Sequence, residues 1–127
     1  MTNREYLSQA LNLQKEIDQL ESELSDGYVS PQFERDRVQK TPVNSAENQA
    51  IRYIELNERI DELIRQKRKL LVEITDVIET VPDARLRIIL HKRYIQGISI
   101  RLISREMHYD EKYMYSLIRQ AENMIKW

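Results

Sequence analysis

The chain has no cysteine, which excludes disulfides and thiolate zinc sites and suits a reducing cytosol. Two glycines and three prolines in 127 residues leave few places for turns, and aromatic residues at 7% leave few strand-forming side chains. No apolar run approaches the ~20 residues of a membrane span. The opening MTNREYLSQAL lacks an apolar core of signal-peptide length. The expectation is a soluble, cytoplasmic protein with no membrane partner. What the chain has instead is charge, with 32% Asp, Glu, Lys and Arg, set among Leu, Ile and Gln. These are helix formers, and they predict an all-α fold.

The residues that carry catalysis are equally sparse. His91 and His108 are the two histidines, they fall on different elements, and neither has a carboxylate at ligand spacing. There is no glycine-rich phosphate loop and no Ser, His and Asp arrangement. The bland reading of both histidines, one on a helix surface and one in a turn, is the stronger. The chain reads as a non-enzyme with no cofactor and no metal.

In chain order, Tyr6, Ala10, Leu13, Ile17, Leu20 and Leu24 alternate steps of four and three. That is a heptad seam, predicting a helix from Thr2 or Asn3 to Ser25 that needs a partner helix. Asp26-Gly27 is a plausible stop. Residues about 26–44 have two prolines and no period and read as a loop, whose Arg35, Arg37 and Lys40 are more simply solvated than bound to nucleic acid. A second helix is expected from Ser45, with Tyr53, Leu56, Ile60, Leu63, Leu70, Ile74, Val77 and Val81 on its seam and Lys67 interrupting it. The basic run Arg65 to Lys69 has acidic Asp61, Glu62 and Glu73 one turn away, a pattern that serves solubility and helix pairing. Residues 1–81 therefore predict a long antiparallel, coiled-coil-like helical hairpin. At ~1.5 Å per residue the first arm spans ~35 Å and the second ~55 Å. The uncovered third of the longer seam must meet the C-terminal region or another subunit, and a homodimer through the coiled segment is expected.

Pro82 interrupts the helix, and residues 82–127 form a second expected domain. Asp83 to Ile95 reads as a helix with Leu86, Ile89, Leu90 and Tyr94 inward. A short helix follows Gly97, with Ser99 as its N-cap and Ile103 and Met107 on one face. His108 and Tyr109 make a turn, and Asp110 can cap a last helix in which Met114, Ala121 and Ile125 point inward, flanked by Leu117 and Ile118. The opposite side carries Lys112, Ser116, Arg119 and Asn123, with Tyr115 and Lys126 at its border. Such a face suits a DNA recognition helix. Lys112 and Arg119 can reach phosphates or guanine edges, Ser116 and Asn123 can hydrogen-bond bases or backbone, and Tyr115 can pack on sugar or a thymine methyl. Any surface helix also shows a polar face. Charge favours the DNA reading: residues 1–81 hold 11 basic and 16 acidic residues, net −5, whereas 82–127 hold 9 and 5, net +4.

The run Ile89 to Ser99, then Leu102-Ile103-Ser104, Met107-His108-Tyr109-Asp110, and later Met114 and Ala121, resembles the DNA-binding region four of bacterial sigma factors. A closer likeness is to small phage and prophage proteins of Gram-positive bacteria in which a long coiled segment precedes a sigma-like module; it covers roughly residues 45–126. Leu102 stands where the sigma pattern has an acidic residue, Ser104 where it has alanine, His108 where it often has glycine and Asp110 where it has serine. The resemblance implies a trihelical helix-turn-helix domain, a sequence-specific transcriptional regulator on double-stranded DNA, and RNA polymerase as a further partner. Two alternatives remain open from the residues: a DNA-packaging or recombination accessory factor, and a protein-interaction module or inhibitor acting through the coiled hairpin.

Overall fold

A computed structural model describes residues 1–29 and 42–127, and every element among them is helical. The elements are α1 (Asn3–Val29), α2 (Pro42–Ile78), α3 (Ala84–Leu90) continued by a π-helical turn (His91–Ile95), α4 (Ile100–Glu106) and α5 (Glu111–Met124). Among the described residues no helix is long and apolar enough to cross a membrane.

The long helices run further than their sequence signals suggest. α1 passes through Asp26-Gly27 to Val29, because a glycine inside a helix costs only ~1 kcal/mol relative to alanine and does not by itself stop a helix of this length. α2 begins at Pro42 rather than Ser45. Proline is tolerated in a first turn, where its missing N–H would have had no partner. Of the expected loop about 26–44, residues 30–41, with Arg35, Arg37 and Lys40, lie outside the described residues.

Packing divides the chain inside these two helices. One compact unit is Leu13–Gln66; the other is Met1–Asn12 with Lys67–Trp127. The packing thus groups residues 1–12 and 67–81 with 82–127. In the Leu13–Gln66 unit, Ile17, Ile60 and Leu63 are buried, with Leu13, Leu20, Leu24 and Ile64 half-buried around them. Arg52 lies 3.8 Å from Glu23. Tyr53, expected on the seam, is 53% exposed.

The larger unit has a core of the globular kind. Leu7, Ala10, Ile74, Ile78 and Val81 from the long helices join Leu86, Ile89, Leu90 and Tyr94, then Ile103, Met114, Leu117, Ile118, Ala121 and Ile125. The expected stripe on α1 was Tyr6 and Ala10; here Leu7 is fully buried and Tyr6 only partly. Ile78 likewise takes the buried place given to Val77. A helix lying against several others is covered over a wider stripe than a two-helix seam, so residues beside the heptad positions are drawn in.

The chain then turns twice. α2 stops at Ile78, the Thr80 and Val81 amides donate to the Val77 and Ile78 carbonyls, and Val81 is buried before Pro82. The Asp83 carboxylate caps α3, accepting from the Arg85 amide at 2.9 Å and the Leu86 amide at 3.4 Å. After the π-helical turn, Gly97 takes φ +71° and the Ile98 amide reaches back to the Lys92 carbonyl at 3.0 Å. A Cβ at Gly97 would meet Leu11 Cδ2 at 3.4 Å, an ordinary contact, so it is the left-handed backbone that favours glycine there.

Candidate nucleic-acid interface

Two short caps set the geometry of α4 and α5. The Ser99 hydroxyl accepts from the Leu102 amide at 3.3 Å, as its position predicts. At the other end of α4 the Tyr109 amide donates to the Ser104 carbonyl at 2.8 Å and the His108 amide to the Arg105 carbonyl at 3.3 Å. These two bonds form a Schellman motif, whose left-handed position is normally glycine. Here it is His108, at φ +60°. A β-carbon in this conformation carries a steric cost, which the two backbone bonds offset.

Asp110 departs from its expected role. Its backbone is extended as an N-cap should be, and its carbonyl accepts from the Met114 amide at 2.9 Å, but its carboxylate accepts no bond from the first turn. What its side chain, together with Glu111, supplies at the start of α5 is negative charge near the positive end of the helix dipole.

α5 is divided lengthwise. Met114, Leu117, Ile118, Ala121 and Ile125 are buried, and Lys112, Tyr115, Ser116, Arg119 and Asn123 are all exposed. Lys112, Ser116, Arg119 and Asn123 make no side-chain hydrogen bond or ion pair among the described residues. A helix thus presents two cations and two hydrogen-bonding groups to solvent along one side, with the Tyr115 ring, 50% exposed, at the border. Lys126 is exposed beyond the helix end.

Sequence reasoning missed three features of this region. Tyr113 is 46% exposed, and Gln120 is exposed with it on the flank that Ser116 begins. Stepping by ~100° per residue from Met114 would have placed both there. The Tyr113 ring meets Tyr109 edge-on at 5.5 Å between centroids. The Tyr109 hydroxyl in turn accepts a 3.5 Å hydrogen bond from the Arg85 guanidinium, which raises the already high pKa of that arginine.

The third feature is the buried carboxylate of Glu122. It accepts a hydrogen bond from the Tyr94 hydroxyl and lies 3.3 Å from Arg4 Nε. Burial first, and then this bond to Glu122, raise the Tyr94 pKa and hold the hydroxyl protonated. Asn3 completes the arrangement: its Nδ2 donates to the Glu122 carbonyl at 2.8 Å and its Oδ1 accepts from Trp127 Nε1 at 2.7 Å. The Trp127 ring stacks on Tyr6 at 4.6 Å between centroids, 5° from parallel. The first turn of α1 is therefore fastened to the last turn of α5 through Glu122. Charge at Glu122 gave no hint of burial, since an acidic residue at a helix border is usually solvated.

His91 is half-buried on the π-helical turn and His108 is exposed. Among the described residues no three His, Cys, Asp or Glu side chains converge. The polar face of α5 offers positive charge and hydrogen-bonding groups, an arrangement suited to an anionic surface. No family model, curated protein or solved structure matches the chain.

Proposed function

We propose that the chain is a sequence-specific DNA-binding regulator of phage or prophage type, with α4 and α5 as a helix-turn-helix and α5 as the helix that enters the major groove. In this reading α3, α4 and α5 are the trihelical domain, and α1 and α2 form the coiled hairpin through which two copies pair to meet two half-sites. The observation that carries the proposal is the unpartnered outer face of α5, Lys112, Ser116, Arg119 and Asn123, opposite a fully buried stripe on the same helix. The net charge of +4 over residues 82–127 supports it.

The test begins with DNA fragments selected by the purified full chain and identified by sequencing. Arg119→Ala should cost ~1–3 kcal/mol of specific binding where it reads a base. Lys112→Ala should weaken all sequences alike and flatten the salt dependence by about one unit where it meets a phosphate. Affinity for the selected fragment should fall steeply with salt. If the double variant, folded by circular dichroism, binds that fragment as tightly as wild type, α5 does not read DNA and the protein-interaction reading takes its place.

A further inference from the structure

The face of α2 opposite its buried stripe carries a second heptad pattern. Ile54, Glu58, Asp61, Arg65, Arg68 and Val72 follow at steps of four, three, four, three and four, and all six are exposed. The steps are symmetric about residue 63, and so is the chemistry in the sense that matters for pairing. The ends are apolar, the first half is acidic and the second half is basic. When a second copy of this helix is laid antiparallel on the face, with a two-fold axis at position 63, Ile54 meets Val72 of the second copy, Glu58 meets Arg68 and Asp61 meets Arg65. Each contact recurs across the axis, as an isologous interface requires. A parallel pairing in register would instead set Glu58 on Glu58 and Arg65 on Arg65, like charge on like.

The state of these side chains fits an absent partner. Ile54 is 56% and Val72 64% exposed, although both are branched apolar residues on a helix rich in charge. None of Glu58, Asp61, Arg65 and Arg68 is in an ion pair among the described residues, whereas on the same helix Arg59 does bond Glu62 at 3.3 Å. From Ile54 to Val72 the pattern spans ~27 Å at ~1.5 Å per residue, long enough for a helix pair to engage all six positions.

We infer that this face of α2 is where a second copy of the chain docks, antiparallel, with apolar contacts at both ends and four charge pairs between them. The inference deepens the dimeric reading above and rests on it. Its test is sedimentation of the full chain at ~100 μM and ~50 mM salt, where screening is weak, with folding followed by circular dichroism. Wild type should sediment as a dimer. Glu58→Arg with Asp61→Arg makes the face all basic, and Arg65→Glu with Arg68→Glu makes it all acidic. Each double variant alone should dimerise at least about tenfold more weakly than wild type, and an equimolar mixture should form a one-to-one pair at least as tight as wild type. A monomeric wild type overturns both the dimer and this face. Variants that dimerise as well as wild type leave the dimer standing and overturn the face, as does a mixture of monomeric variants that fails to pair.

Discussion

The two compact units bury their apolar residues by different means. The unit of residues 1–12 and 67–127 gathers fifteen buried apolar side chains from five helices and the residues that flank them, whereas in Leu13–Gln66 three buried apolar side chains lie between two helices, with four more half-covered. Two helices touch along a line, so a side chain on the seam is shielded from one direction only. A third and fourth helix close the remaining sides. Burial scales with stabilisation at ~25 cal/mol per Å² of apolar surface, so the difference predicts a gradient of local stability along α1 and α2. The ends near Leu7 and Ile74 should be the firm ones, and the stretches near Leu20 and Leu56 the first to open.

The sharpest way to break this comparison is a matched pair of truncations. Met114→Ala, in the fully buried core, should cost ~2–5 kcal/mol through the cavity it leaves. Leu20→Ala, at a half-buried seam position, should cost about 1 kcal/mol, since less surface leaves water and the site can close up. Denaturant unfolding of both variants gives the two numbers. Equal costs would mean that the seam is as well packed as the core. A smaller effect sharpens the comparison at the terminal clasp. Trp127→Ala removes the ring stacked on Tyr6 and the bond to Asn3, and should lower stability by ~1–2 kcal/mol, visible as a lower melting temperature. The smallest runs the other way. His108→Gly relieves the left-handed strain at φ +60° and should raise stability by ~0.5–1 kcal/mol. An unchanged or lower melting temperature would show that the histidine side chain contributes something glycine cannot.

These positions also mark what could be read from the sequence. The inward stripe of α5 was legible because Met114, Ala121 and Ile125 repeat at helical spacing and lie opposite Lys112 and Arg119. The same holds for Leu86, Ile89, Leu90 and Tyr94, whose period is unbroken. Leu7 and Ile78 were not legible, because a heptad assumes a single partner helix and these two residues are buried by others. The extension of α1 through Gly27 was missed because local stop signals are weak against a long helix. Asp110 was assigned a side-chain cap that it does not make, since residue type gives the capacity for a bond and tertiary placement decides its use. Glu122 was invisible for a different reason: its partners Arg4 and Tyr94 stand far away in the chain, and no local pattern links them.

The clasp has a consequence for the order in which the chain folds as it leaves the ribosome. Asn3 and Arg4 bond Glu122 across separations of 119 and 118 residues, and Asn3 bonds Trp127 across 124. Contacts so distant in sequence form late, because more than a hundred residues must be made after the first partner before it can find the second. Leu7 and Ala10 share that wait, since their core neighbours reach to Ile125. During synthesis α1 therefore emerges with an apolar stripe that nothing yet covers. The first of its core neighbours to be made are Ile74 and Ile78 of α2, so the long helices give that stripe its earliest shelter and the later helices complete it.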